Sequence, residues 1–231
     1  MHIRRAESAV PGADRVVLVH GLAGSAVNWT DFAGQLRSRL DVEIIDLAGH
    51  GRSGPAPGRD YSMRAHVRTV IAYLEQSGRA PVHLVGNSMG GVITLSVAAQ
   101  RPDLVRTLTV ISPAVPDVRL RIHPLRYNPR VGLLVVPGVG TVALRKFAKV
   151  PVEERVRQTV RLCFADPVRL PEQRFDELVD EARARLSMPW ADEAVLRSTR
   201  GLVRTQYLQR RSVWSAIRTV RVPTLVLWGE G

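Results

Sequence analysis

The feature that most constrains the fold is the pentapeptide Gly86-Asn87-Ser88-Met89-Gly90, which has the pattern G-x-S-x-G. It follows an apolar run at 81–85 and opens a run of small and apolar residues at 88–100 that suits a helix. A chain that passes directly from a strand into a helix makes a sharp, strained turn, and large side chains two positions before or after its centre would collide. Gly86 and Gly90 meet that demand. The pattern therefore predicts a parallel sheet with Ser88 raised above the carboxyl ends of its strands.

The rest of the first half alternates between strand and helix patterns. Strands are predicted at 16–19, 42–45, 81–85 and 104–111, and helices at 28–40, from the N-cap Ser62 to Gly78, and at 88–100. Strands that alternate with helices are typical of a sheet that is mostly parallel and covered on both faces. We therefore expect an α/β fold with a doubly wound sheet.

The pattern changes after Ser112-Pro113. Helices are predicted at 152–164, 172–186 and 191–218, and no strand pattern returns before 223–228. This order predicts an α/β core formed by residues 1–113 and 221–231. A helical insertion at 114–220 would separate the two parts of the core.

Composition excludes several classes of protein. The 231 residues include 33 Lys and Arg against 21 Asp and Glu, a net charge of +12, but no nucleic-acid recognition motif accompanies this charge, so no nucleic-acid partner is expected. The single cysteine excludes an intramolecular disulfide and disfavours a Cys-based metal site. No run of about 20 apolar residues is present. We therefore expect a cytoplasmic protein, and membrane contact is not favoured.

A second loop with functional potential is His20-Gly21-Leu22-Ala23-Gly24, which follows the first predicted strand. Its position allows the backbone N–H of Leu22 to point towards the same place as the N–H of Met89. Two such donors would form an oxyanion hole, which stabilises negative charge on a reacting carbonyl oxygen. The alternative is a glycine-rich loop that binds nothing. His20 itself is interpreted as a residue that holds the loop.

A third loop runs from Asp46 to Gly54 and follows the second predicted strand. We interpret Asp46, His50 and Arg52 as a hydrogen-bonding group that fixes this loop, rather than as catalytic residues.

The motifs HGLAGS, DLAGHGRS, GNSMGG and PTLVLWGE occur in this order, and together they resemble those of an α/β-hydrolase with a helical cap. The resemblance implies that Ser88 is a nucleophile, that Leu22 and Met89 supply the oxyanion-hole amides, and that the insertion at 114–220 is the cap. It also implies a histidine base oriented by an acidic residue. Serine at the centre of the elbow differs from the aspartate of the haloalkane dehalogenase and epoxide hydrolase branches.

The sequence departs from this family in its last residues. The resemblance places the acid and then the histidine of the triad beyond Gly231, and the last histidine of the chain is His123. Asp117 could be tried as an alternative acid. We therefore expect this chain to be a truncated form of a longer hydrolase, with the last strand and helix missing. A serine without a base is a poor nucleophile at neutral pH.

The expected function is that of a serine hydrolase that cleaves a carboxylic ester or a related acyl bond through an acyl-enzyme at Ser88. No metal or organic cofactor is expected, and the expected partner is a small, apolar ester or acyl substrate. Two alternatives stay open: a hydrolase of carbon–carbon bonds with the same fold, and a non-catalytic or ligand-binding protein. The sequence does not indicate an oligomeric state.

The predicted cap contains an apolar stretch, Val131 to Leu144. It could line an acyl pocket or touch a lipid surface, although the interior of the cap is the favoured interpretation. Several arginines flank this stretch and could recognise an anionic group, although solvated helix faces are the commoner role: Arg119, Arg121, Arg126, Arg130 and Arg145.

Overall fold

A computed structural model describes residues 1–117 and 149–229, together with Val142. Its six-stranded sheet has the order β1-β3-β2-β4-β5-β6. The strands are β1 (Ile3–Ala6), β2 (Arg15–Val19), β3 (Asp41–Ile45), β4 (Val82–Asn87), β5 (Val105–Ile111) and β6 (Thr224–Leu227). All neighbouring pairs are parallel except β1 with β3. The prediction of a mostly parallel α/β sheet is confirmed.

The described helices are α1 (Thr30–Leu36), α2 (Met63–Gln76), α3 (Met89–Gln100), α4 (Val152–Cys163), α5 (Glu172–Arg185), α6 (Ala191–Tyr207) and α7 (Arg210–Arg218). The predicted N-cap of α2 is confirmed, since the Ser62 side chain accepts a hydrogen bond from the Ala65 amide at 3.2 Å. The predicted helix at 28–40 is too long. The α-helix itself spans only Thr30–Leu36, and a 3-10 turn, Ala26–Trp29, precedes it, with a capping box formed by Ser25 and Asn28 at its start.

The strand β1 is absent from the sequence-based prediction. Its four residues, IRRA, are partly exposed and pair antiparallel with β3 at the edge of the sheet. An edge strand buries little apolar surface, so its sequence carries no clear hydrophobic pattern.

The sheet is covered on both faces, as predicted. Val17 and Val19 of β2 belong to one apolar cluster with residues of α2 and α3, including Val70 and Ile93. The alternate residues of β2, Val16 and Leu18, belong to a second cluster with Trp29 and Ala33. Because successive side chains of a strand point to opposite faces, β2 is buried completely.

Between β5 and β6 the described residues form helices and the turns that join them, and they include no strand. We call α4 to α7 the helical segment (152–218). The predicted helices at 152–164 and 172–186 are confirmed, and the predicted helical run at 191–218 divides into α6 and α7. The predictions for Val131–Leu144 fall outside the described residues apart from Val142, and those for Arg119, Arg121, Arg126, Arg130 and Arg145 fall outside them entirely. None of the described helices combines the length and apolar character needed to cross a bilayer.

Candidate active site

Ser88 lies at the junction of β4 and α3, where the chain turns sharply. Its φ is 51° and its ψ is −114°, a conformation that costs a non-glycine residue about 1–3 kcal/mol. Three backbone hydrogen bonds hold it: the Ser88 amide donates to the Ile111 carbonyl at 3.0 Å, and the Ser88 carbonyl accepts from the Ala114 amide at 3.0 Å and from the Val92 amide at 3.3 Å. The end of β5 therefore fixes the strained residue in place, and its side chain is only half-buried.

The two elbow glycines lie where no side chain fits. A Cβ added to Gly86 would lie 2.5 Å from the Gly90 carbonyl oxygen, and one added to Gly90 would lie 2.5 Å from the His20 carbonyl oxygen. These approaches are far below ordinary van der Waals contact. The close packing gives a physical reason for glycine at both positions.

The loop after β2 lies directly against Ser88. A Cβ added to Gly21 would lie 3.2 Å from the Ser88 Cβ, so the backbone that carries Leu22 begins next to the serine. Within the described ranges, neither the Leu22 amide nor the Met89 amide donates a hydrogen bond to a protein acceptor. Met89 is itself fully buried, and the role of the two amides as an oxyanion hole stays a prediction.

His20 has the structural role predicted for it. The Leu47 amide donates to His20 Nε2 at 3.0 Å, so Nε2 carries no proton and Nδ1 donates to the Gly21 carbonyl at 2.7 Å. Burial lowers the pKa of His20, which keeps the ring neutral. The imidazole thus joins the loop after β2 to the loop after β3.

Asp46 organises the loop after β3, as predicted. Its buried carboxylate accepts hydrogen bonds from the Ala26 amide at 2.7 Å, the Arg52 amide at 3.0 Å and His2 Nδ1 at 2.7 Å. Arg52 joins this group through its backbone amide, while its guanidinium lies 3.9 Å from Glu181. His50 Nδ1 donates to the Ala48 carbonyl at 3.1 Å, within the same loop.

A row of three buried histidines lies behind this loop. The ring centroids are 5.5 Å apart for His20 and His50, and 5.8 Å apart for His50 and His66. His66, on α2, is hydrogen-bonded through Nε2 to Ser198 Oγ of α6 at 3.0 Å. Sequence reasoning missed His66 because its partners are distant along the chain. Burial lowers its pKa to about 4 and lowers that of His50 well below its usual value.

This histidine row predicts a loss of stability in mild acid. A histidine whose pKa is about 6.5 in the unfolded chain and about 4 in the folded protein binds its proton mainly in the unfolded state between those values, so stability falls as the pH falls. For His66 alone the free energy of unfolding should fall by about 2 kcal/mol between pH 7 and pH 5. Urea unfolding at both pH values measures this change.

His66→Gln should remove this part of the pH dependence, whereas His83→Gln, at a partly exposed position on β4, should leave it unchanged. Parallel pH profiles for the wild-type protein and His66→Gln would show that the interpretation of the histidine row is wrong.

The helical segment (152–218) contacts the loops at the carboxyl ends of the strands. Arg185 Nη1 of α5 donates to the Ala23 carbonyl at 3.0 Å, and Trp190 Nε1 donates to the Ser53 carbonyl at 3.3 Å. Trp214 Nε1 donates to the Pro116 carbonyl at 3.0 Å. These bonds place α5 and α7 near the edge of the sheet that is formed by the carboxyl ends of the strands, where Ser88 also lies.

The described residues do not complete a catalytic triad. None of the histidines, aspartates or glutamates in these ranges makes a hydrogen bond to Ser88, and His123 falls outside them. A cavity of about 550 Å³ lies between β1 and α5 and is lined by residues such as Arg4, Asp46 and Glu181, but Ser88 does not line it.

A strained strand-to-helix serine on a mostly parallel, doubly covered sheet defines the class of protein. The alpha/beta hydrolase fold family matches residues 14–231, and the chain belongs to this family.

Lipase LipV of Mycobacterium tuberculosis is 35% identical over 115 residues, which are 50% of this chain and 42% of that protein. Monoacylglycerol lipase abhd6-B of Xenopus laevis is 25% identical over 224 residues, 93% of this chain and 60% of that protein. The chain thus spans only part of each relative's length. Among solved structures, haloalkane dehalogenase DbeA from Bradyrhizobium elkani USDA94 has a TM-score of 0.76 and 22% identity, with coverage of 98% of this chain and 76% of that one. At this identity the likeness concerns the fold alone.

Proposed function

We propose that the protein hydrolyses a carboxylic ester or a related acyl bond of a small, apolar molecule, with Ser88 as the nucleophile. The observation that carries the proposal is the strained turn at Ser88, with the Gly21 backbone packed against its Cβ. A strained nucleophile beside backbone amides that bind the developing oxyanion is the arrangement that acyl transfer requires.

In the proposed reaction, Ser88 Oγ attacks the substrate carbonyl carbon and gives its proton to a base. The amides of Leu22 and Met89 stabilise the negative charge that develops on the carbonyl oxygen, each contributing about 3 kcal/mol in comparable sites. The alcohol then leaves with a proton, and an acyl group remains on Ser88. Water hydrolyses this acyl-enzyme and restores the free serine.

Two observations support an ester as the substrate. Two of the relatives, one matching 93% of the chain and one matching 50% of it, are named as lipases. The residue at the elbow is serine, whereas the haloalkane dehalogenase branch, to which a structural neighbour belongs, carries aspartate at that position. We therefore propose ester cleavage rather than dehalogenation.

We also propose that residues 114–220 form a cap over this site. The contacts of Arg185, Trp190 and Trp214 with loops at the carboxyl ends of the strands support this role. A cap would supply much of the substrate pocket and exclude water from the reacting carbonyl.

The test uses the complete gene product that contains this sequence. It should hydrolyse p-nitrophenyl butyrate and p-nitrophenyl octanoate, and it should release no halide from 1-bromohexane under the same conditions. Halide release, or the absence of turnover with every ester in a panel of different acyl lengths, would contradict the proposal.

A further inference from the structure

One side chain joins the helical segment (152–218) to the loop proposed to hold the oxyanion. Arg185, at the last turn of α5, donates from Nη1 to the Ala23 carbonyl at 3.0 Å. The two residues are 162 positions apart in sequence. Within the described residues, the helical segment makes no other hydrogen bond to the turn at 21–24.

The turn that receives this hydrogen bond is strained. Ala23 has a φ of 56°, an unfavourable conformation for a residue with a Cβ. The Gly24 amide donates to the Gly21 carbonyl at 3.1 Å, so Leu22 and Ala23 are the central residues of one tight turn. The Ala23 carbonyl shares its peptide plane with the Gly24 amide, and the Gly21 carbonyl that accepts from Gly24 shares its plane with the Leu22 amide. A shift of the Ala23 carbonyl would therefore reach the Leu22 amide through the hydrogen bond that closes the turn.

Charged groups surround the guanidinium of Arg185. Burial lowers its pKa, while Glu181, Asp192 and Asp46 oppose that effect. Glu181 lies one turn earlier on α5 and is itself buried. Arg185 is half-buried, and a hydrogen bond from its charged guanidinium is stronger than one between neutral groups.

We infer that Arg185 is a positioning residue for the reaction. It holds the Ala23 carbonyl so that the strained turn keeps the Leu22 amide directed at the substrate oxygen, and it makes this alignment depend on the docking of α5. The inference rests on the proposed function of Ser88. Arg185 acts through the loop and does not itself touch the substrate.

The experiment compares Arg185→Gln, Arg185→Lys and the control Arg183→Gln in the complete gene product. Arg183 lies on the same helix but forms exposed ion pairs with Glu153 and Asp180. Arg185→Gln should lower kcat by about 10- to 100-fold with little change in KM, because misalignment of one donor weakens the transition state and not the bound substrate. Arg185→Lys should recover part of the loss, and Arg183→Gln should keep the wild-type kcat.

Two further readouts separate positioning from a general structural role. Rates are expressed per active site, titrated with a fluorophosphonate, so a smaller folded fraction does not lower kcat. A trifluoromethyl ketone, which becomes an oxyanion when the serine adds to it, should bind Arg185→Gln more weakly by the same factor as the loss in kcat/KM. Unchanged kcat per titrated site, or a change in KM alone, would overturn the inference.

Hydrogen exchange tests the same contact without any turnover. The peptide that contains residues 21–25 should exchange its amides faster in Arg185→Gln than in the wild-type protein or Arg183→Gln. Equal exchange rates would overturn the inference even if esters are hydrolysed. If the wild-type protein cleaves no ester, the proposed function fails separately, and faster exchange would still establish that Arg185 holds the turn.

Discussion

Replacement of Ser88 by alanine should abolish ester hydrolysis by the complete gene product. We expect kcat to fall by on the order of 10⁴-fold or more, as in other hydrolases that lose their serine nucleophile. The side chain is half-buried, and the described residues offer no hydrogen bond to its Oγ, so its removal should leave stability almost unchanged. Initial rates with p-nitrophenyl butyrate and a urea unfolding curve measure the two quantities.

Ser96→Ala provides the matched control. Ser96 lies on the same helix α3 and donates from its Oγ to the Val92 carbonyl at 2.8 Å, so it resembles Ser88 in chemistry but not in position. It should keep the wild-type kcat. Retention of more than a tenth of the wild-type kcat in Ser88→Ala would contradict the assigned nucleophile.

Gly90→Ala should produce the largest loss of stability among small substitutions at the elbow. The new Cβ would lie 2.5 Å from the His20 carbonyl oxygen and 2.9 Å from the Val19 carbonyl carbon. Both are backbone atoms at the end of the fully buried β2, so neither can move without disturbing the centre of the sheet. We expect the free energy of unfolding to fall by about 3 kcal/mol, measured by urea unfolding.

Gly34→Ala controls for the exchange of glycine for alanine in a helix. Gly34 lies within α1, and no atom lies within 4 Å of the position that its Cβ would take. This variant should be more stable than the wild-type protein by about 1 kcal/mol, because alanine favours the helix. Equal effects at Gly34 and Gly90 would show that the elbow is not closely packed.

The sequence predicted the centre of the sheet well because its strands are buried on both faces. The strands at 16–19 and 42–45 and the turn at Ser88 all have local signals: β-branched runs, and glycines at fixed offsets from the serine. The edge strand β1 was missed because its residues are partly exposed and include two arginines. The start of α1 was misplaced because a capping box formed by Ser25 and Asn28 begins an earlier 3-10 turn.

The candidate site was only partly accessible from sequence. Ser88 and its glycines belong to one contiguous motif, so their geometry follows from local chain constraints. The hydrogen bond from Arg185 to Ala23 and that between His66 and Ser198 join residues more than 130 positions apart, and no periodicity or spacing signals such contacts. Tertiary packing alone brings these residues together, which is why the roles of His66 and Arg185 emerge only from the structure.

Covalent trapping is the most direct test of the claim that Ser88 is the nucleophile. The complete gene product is treated with a fluorophosphonate, digested and analysed by mass spectrometry, with Ser88→Ala treated in parallel. We expect one phosphonyl adduct, on the peptide that contains Ser88, and none in the variant. An enzyme that hydrolyses esters but carries its adduct on another residue, or carries none, would contradict the account.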